Sequence, residues 1–400
     1  MRKIKVSLLL KIIIAIILGI VFSYFTPDWL TRVFITFNSL FGNFLNFIIP
    51  LLILGLVAPG IAELGKGAGK MLGVTAAIAN GSTVLAGMFS YITCKLTYPH
   101  ILDPSTFSFS ETMSDSVDLL PYFVIDMPPL FGVMSALILA FILGLTLAVI
   151  EGKYLRGALF ELREIIMILI KKVILPLLPI YIFGIFLEMG AEGTVGSVIS
   201  VFIKVIIVIF AMHFIWLLFQ FLVAGAISHK NPFKALKNMF SAYMTALGTQ
   251  SSAATIPVTL AQTKKNGVGD EIADFVIPLC ATIHLSGSTL KIVACAFAIS
   301  FMMGMPTDFG LDIGFIMMLG ITMVAAPGVP GGAIMAALGV LTSILGFTEP
   351  MNALMIALYI AMDSFGTACN VTGDGAIAMI VDRIFKPKNK KADENNEGEQ

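Results

Sequence analysis

Four polar residues near the end of the chain, Asp363, Thr367, Asn370 and Asp374, are spaced i, i+4, i+7 and i+11 inside "MDSFGTACNVTGDG" (362–375). On a helix of 3.6 residues per turn that spacing makes one continuous face, and Tyr359 and Gly366 fall on the same stripe. The flanking sequence, IALYIA before and AIAMIV after, is apolar enough for a membrane interior. A carboxylate at that depth persists opposite a cation, and such residues are functional candidates by default. Two carboxylates and an amide on one face can hold an ammonium, a metal cation, or both. The competing reading is a pair of structural aspartates neutralised by protonation or by neighbouring helices. The Val-Thr-Gly run beside Asp374 is expected to open the helix locally, freeing carbonyl oxygens for a hard cation. His284 and Lys291, seven residues apart in another apolar stretch, add two further ionisable groups on one helical face with Gly287 and Ser288. His284 is a candidate proton carrier, or a histidine with a satisfied hydrogen bond. No histidine lies near Ser251 in sequence and no HExxH pair occurs, so nothing points to an intramembrane enzyme.

The elements that must position these residues are membrane spans. Of 400 residues, 58% are hydrophobic and 12% charged, about half the charge of an ordinary soluble domain. Runs of spanning length recur, such as 6–25 and 201–225. A formal net charge of zero gives no reason to expect a nucleic-acid partner. The four cysteines, Cys94, Cys280, Cys295 and Cys369, fall in apolar segments without metal-type spacing, which argues against disulfides and zinc. The first apolar run lacks a small-residue cleavage site and reads as a retained helix.

Lysines and arginines cluster at 2–5, 66–70, 153–156, 230–237, 264–265 and 383–391, whereas the intervening loops at 26–32, 98–116, 188–194 and 304–312 are nearly free of them. Placing the positive clusters in the cytoplasm gives six spans in residues 1–228, at about 6–25, 33–63, 71–97, 128–150, 159–188 and 197–227. Both termini are then cytoplasmic. Residues 229–384 do not fit simple spanning. One apolar segment between Asn231 and Lys264 is flanked by positive charge on both sides and carries GTQSSAATIPVT (248–259) at its middle, so it should enter and leave from the cytoplasm. A second, from about Leu311 to Phe347, centres on VAAPGVPGGAIM (324–335) and should enter from the opposite side. Each is followed by a long span with polar residues inside it, 268–303 and 350–382. Two broken hairpins of opposite sense, each followed by an interrupted helix, signal an inverted repeat with a binding site near the midplane. The alternative, in which both segments span and their Gly and Pro are kinks, would put Lys264 and Lys265 outside. The expected fold is therefore an all-α polytopic membrane protein of eight transmembrane helices plus two re-entrant hairpins, ending in a charged, disordered cytoplasmic tail (385–400).

The set "QSSAATIP", "GVPGG" and "D…GTACNVTGD" resembles the dicarboxylate/amino acid:cation symporters, the glutamate transporter homologues, over essentially the whole chain. The resemblance implies a homotrimer in the cell membrane. In it, a transport core (229–384, with part of 1–228) slides against a scaffold, carrying an amino acid together with sodium and no organic cofactor. It implies that Asp363 binds the substrate ammonium and that Asn370 donates to the α-carboxylate. Thr367 would lie beside the substrate side chain, with Gln250, Ser251 and Ser252 at the first hairpin tip and Val329 at the second, the external gate. Asp374, Asn370 and Thr282 are the residues it implies for sodium. The GVPGG stretch is one residue shorter than the family's usual GVPGAG.

The departures are pointed. Family members that carry acidic amino acids place an arginine three residues after the first aspartate or in the first hairpin, where a bidentate guanidinium suits a carboxylate. Here those positions are Gly366 and Gln250. Retention of Asp363 without that arginine predicts a small neutral amino acid, of the serine, alanine or threonine kind. Lys291 leaves three alternatives. It can replace the arginine's charge, allowing acidic amino acids or dicarboxylates; it can occupy a cation site itself; or it can snorkel outward. Where the family reads Asn-Met-Asp-Gly-Thr this chain has His284-Leu285-Ser286-Gly287-Ser288, so one sodium site is in question and proton coupling through His284 is the alternative to sodium.

Overall fold

The computed structural model describes residues 8–64, 69–102, 119–150, 152–191, 195–306, 308–324, 326 and 330–385. Val329, the tail after Phe385 and most of the loop at 98–116 lie outside the described residues. Among those described there is no strand; the chain is helix throughout, apart from short connections and an irregular stretch at 119–132. That stretch lies along the second helix, where Asn43 Nδ2 donates to the Ile125 carbonyl and Arg32 Nε to that of Leu120, both at 2.9 Å.

The six segments expected to span correspond to α1 (Leu8–Ser23), α2 (Asp28–Leu64), α3 (Gly69–Ile101), α4 (Val133–Val149), α5 (Lys153–Leu169) continuing through a π-helical turn at Ile170–Ile174 into α6 (Leu175–Ala191), and α7 (Val195–Ser228). Their outward faces are rows of exposed aliphatic and aromatic side chains, such as Ile203, Ile207, Phe210 and Phe214 on α7. A soluble protein would not leave such a surface in water. Among the described residues, five helices are long and apolar enough to cross a membrane, six if the bent pair Glu349–Ala361 and Asp363–Phe385 counts as one, and four shorter apolar helices accompany them.

After α7 the elements shorten. Asn231 caps α8 (Pro232–Thr249), its side chain accepting from Lys234 N with Pro232 at the first position. Gln250 then turns in the left-handed region at φ 53°, and Ser251 caps α9 (Ser252–Lys265) by accepting from Ala254 N. The two-residue link folds α8 and α9 onto each other as a hairpin. Neither of the two belongs to the helices of spanning length or to the shorter apolar ones. Next comes α10 (Asp270–Ile283), interrupted at His284–Leu285 and resumed as α11 (Ser286–Met302). Asp308 caps α12 (Phe309–Met323), which packs on α13 (Gly332–Leu345) as a second helix pair. Last, α14 (Glu349–Ala361) and α15 (Asp363–Phe385) meet at Met362 with a bend of 62°.

Burial shows what lies at the centre. The most apolar window of the α10–α11 pair is 89% buried, against 39% for α7. The helices that carry polar residues are thus wrapped by the apolar ones.

One expectation is corrected. The Val-Thr-Gly run does not open its helix: α15 is unbroken from Asp363 to Phe385. The interruptions fall earlier, at Met362 and at His284–Leu285.

Candidate functional site

Breaking a helix exposes the first N–H groups of the new segment, and these need acceptors. Two breaks and one hairpin place three such helix starts around a single point. At the start of α11, Gly287 N and Ser288 N both donate to Asn370 Oδ1, at 2.8 and 3.2 Å, while Asn370 Nδ2 donates to Ser288 Oγ at 3.0 Å. Just before α13, Gly331 N donates to Asp363 Oδ2 at 2.8 Å. Asp363 itself opens α15. The positive ends of three helices therefore converge on residues 287, 331 and 363, a field that favours anionic groups.

Lys291, on α11, points into this centre. Its Nζ donates to the Tyr359 carbonyl at 3.2 Å and to Asp363 Oδ1 at 3.4 Å, and stands 3.4 Å from the centroid of the Tyr359 ring. The side chain is fully buried, so the outward-snorkelling alternative does not hold; on α11 its direction faces α14 and α15, not lipid. Tyr359 completes the group, its hydroxyl donating to Ser288 Oγ at 3.2 Å. Close packing makes this possible. A Cβ at Gly287 would stand 2.6 Å from Cys369 Cβ and 2.7 Å from the Gly366 carbonyl oxygen, so only glycine lets α11 and α15 approach this closely.

Two turns further along α15, Asp374 Oδ1 lies 2.8 Å from His284 Nδ1, both side chains buried to within 1%. His284 Nε2 is 3.1 Å from Ser82 Oγ on α3 and 3.3 Å from Gln220 Nε2 on α7, and that amide also donates to Ser82 Oγ at 2.9 Å. A cavity of about 260 Å³ opens beside Ser82 and Gln220, walled otherwise by apolar side chains of α3, α7 and α15. His213, likewise on α7, bonds the Gly287 carbonyl through Nε2 at 3.0 Å.

The structure thus brings together Asp363, Gly366, Asn370, Asp374, His284 and Lys291. Thr367 is buried on the same face of α15. Gln250, Ser251 and Ser252 sit on the first hairpin tip as the sequence suggests, held by local bonds such as Thr249 Oγ1 to Thr255 Oγ1 at 3.1 Å. Thr282 does not join. It is exposed, and its hydroxyl turns back onto the Leu279 carbonyl at 2.8 Å, because the last turn of α10 carries it away from the face that His284 presents to Asp374.

The three residues that the resemblance implies for sodium, Asp374, Asn370 and Thr282, do not meet at one point. A hard cation takes six or more oxygen ligands when it is as large as calcium. Here one Asp374 oxygen is engaged by His284, the Asn370 carbonyl accepts two backbone N–H groups, and Thr282 faces away. The helices around this site, α3, α7, α11 and α15, also hold buried side-chain oxygens without a hydrogen-bond partner: Gln220 Oε1, Thr289 Oγ1, Thr372 Oγ1 and Asn80 Oδ1. The helix starts around Asp363 and Asn370 can hold an ammonium and a carboxylate.

Residues that sequence reasoning missed are Gln220, His213 and Gly331. The first two are polar residues inside the apolar run 201–225, which was a visible signal. Gly331 acts through its backbone and lies in the GVPGG stretch, whose sequence marked the turn but not this contact.

An all-helical chain with spanning apolar helices, interrupted helices and charged groups meeting in its buried centre is that of a polytopic membrane transporter. The chain belongs to the sodium:dicarboxylate symporter family, whose model matches residues 8–384. That is a family of transporters, not of enzymes. Serine/threonine transporter SstT of Acinetobacter baumannii is 28% identical over 394 residues, covering 94% of this chain and 97% of that one. Excitatory amino acid transporter 1 of Rattus norvegicus is 32% identical over 253 residues, 61% of this chain, and the match spans 45% of the rat protein. The mouse protein of the same name matches to the same extent.

Proposed function

We propose that this protein is a secondary active symporter that moves a small neutral amino acid across the cell membrane together with a cation. The observation that carries the reading is Asp363, a carboxylate retained at the meeting point of three helix starts with no arginine at position 366 or 250. The carboxylate suits a substrate ammonium, and the helix starts with Asn370 suit its α-carboxylate. The name of the Acinetobacter relative, which aligns over nearly its full length, supports hydroxyl-bearing neutral substrates. Sodium is the coupling ion named in the family's description, and proton coupling through His284 is the competing reading, favoured by the contact between His284 and Asp374.

The wider assignment follows the family resemblance. The α8–α9 and α12–α13 pairs are re-entrant hairpins, bringing the total to eight transmembrane helices and two hairpins. Residues 229–384 form most of a transport core that slides as an elevator against a scaffold drawn from 1–228. Three copies assemble, with both termini in the cytoplasm. Ser251, Ser252 and Val329 are the hairpin-tip residues at the substrate.

Purified protein in liposomes tests the core of this reading. Labelled serine, alanine or threonine should accumulate under an inward sodium gradient and exchange against unlabelled substrate without net flux, as only a carrier does. Accumulation of aspartate in preference to serine overturns the substrate assignment, and accumulation that follows a pH gradient and ignores sodium overturns the ion.

A further inference from the structure

Lys291 differs from every other lysine and arginine among the described residues: no other is buried. An ammonium has three donors and no acceptor, and the surroundings occupy all three through Asp363 Oδ1, the Tyr359 carbonyl and the Tyr359 ring face. Asp363 is satisfied in turn, one oxygen by Lys291 and the other by Gly331 N. The space is reserved for this arrangement, since a Cβ at Gly366 would stand 3.0 Å from Nζ. The groups facing the pair are Ser288 of α11 and Tyr359 of α14, and the titratable groups beyond them are the buried Cys295 one turn along α11 and the buried His213 of α7. The carboxylate read above as the ammonium partner of the substrate already has an ammonium on it, supplied by the protein.

We propose that Lys291 is a tethered counter-cation of the transport site. With no substrate bound, its ammonium neutralises Asp363; an arriving substrate ammonium displaces it from that carboxylate. This rests on the reading of Asp363 as the substrate's ammonium partner. An unpaired buried carboxylate would hold the empty carrier back from crossing hydrocarbon. The Asp363–Lys291 pair removes that obstacle from within, so the carrier returns empty with no small cation taken from the far side.

Wild-type protein in liposomes tests this without any variant. Net uptake of labelled serine into vesicles whose interior cation is N-methylglucamine should match, within about twofold, uptake into vesicles filled with potassium. Net uptake that requires the interior potassium overturns the proposal. In Lys291→Gln, the ratio of net uptake to exchange of interior unlabelled serine for exterior labelled serine should fall at least tenfold relative to wild type. The loaded carrier has the substrate's own ammonium on Asp363 in both directions, so exchange does not need the lysine. Equal loss of both activities, or equal retention of both, overturns it. Exchange that survives in Asp363→Asn is a separate result: it removes Asp363 as the ammonium partner, whatever the outcome with interior cations.

Discussion

The α-carbon of Gly366 faces the ammonium of Lys291 so closely that a Cβ built on it stands 3.0 Å from Nζ and 3.2 Å from Cε. The volume next to Asp363 therefore holds either the lysine or a side chain at position 366. Gly366→Arg alone forces two cations into that volume and should lower serine uptake more than tenfold. Lys291→Ala combined with Gly366→Arg clears the volume and supplies a guanidinium, so aspartate should begin to compete with labelled serine. Strong aspartate competition already present in the wild type and lost in Lys291→Ala would make the lysine a displaced equivalent of the arginine, and the neutral-substrate reading would fall.

Asp363→Asn keeps size and one acceptor for Gly331 N while removing the negative charge. Transport should drop more than tenfold, equivalent to about 1.4 kcal/mol or more. Uptake near the wild-type rate would sink the ammonium assignment.

Gly287→Ala drives a methyl against Cys369 Cβ and the Gly366 carbonyl, neither of them the end of a flexible side chain. Overpacking of this kind costs roughly 1–3 kcal/mol, and the thermal midpoint in detergent should fall. Gly314→Ala on α12, where nothing lies within 4 Å of the new carbon, serves as control and should leave the midpoint unchanged or raise it. Equal midpoints for the two variants would mean that α11 and α15 are less tightly apposed than described.

Asp374→Asn leaves its carbonyl oxygen for His284 and removes the charge beside it. It should alter the dependence of uptake on sodium or pH more than it alters which amino acids compete. A variant with unchanged ion dependence and altered competition would assign Asp374 to the substrate.

Topology is open to chemical labelling because the four native cysteines are buried. A single cysteine introduced at Lys265, at the end of α9, should react with a membrane-impermeant maleimide only in inside-out vesicles. One at Asp308, before α12, should react only in right-side-out vesicles. Labelling of both from the same side would remove the opposed hairpins.

Much of this architecture was legible before any coordinates, and for an identifiable reason. Apolar length, lysine placement and the breaks at Gln250–Ser251 and 328–331 are local properties of the chain, so α1 to α7 and the two helix pairs fall close to their expected positions. The spacing of Asp363, Thr367, Asn370 and Asp374 is local too, since it needs only the helical repeat. What was not legible is which distant group each polar side chain meets. His284 and Asp374 are 90 residues apart and Lys291 and Asp363 are 72 apart; only packing of α11 against α15 decides those partners. The Val-Thr-Gly run was misread because weak helix formers signal a break only where tertiary contacts do not enforce the helix. On α15 the neighbours enforce it, and the break moves to Met362.

That 72-residue separation has a consequence for the birth of the protein. The ribosome delivers Lys291 before Asp363 exists, and at about 5–20 residues per second the wait is on the order of 4–14 s. For that interval α11 carries a cation with no carboxylate to meet it, at a cost of about 2.5–3.5 kcal/mol if placed at the bilayer centre. The helix must therefore linger near water or within the insertion machinery and take its final depth only when α15 emerges. Assembly order is written into the pair: a helix made later is the one that lets an earlier helix settle.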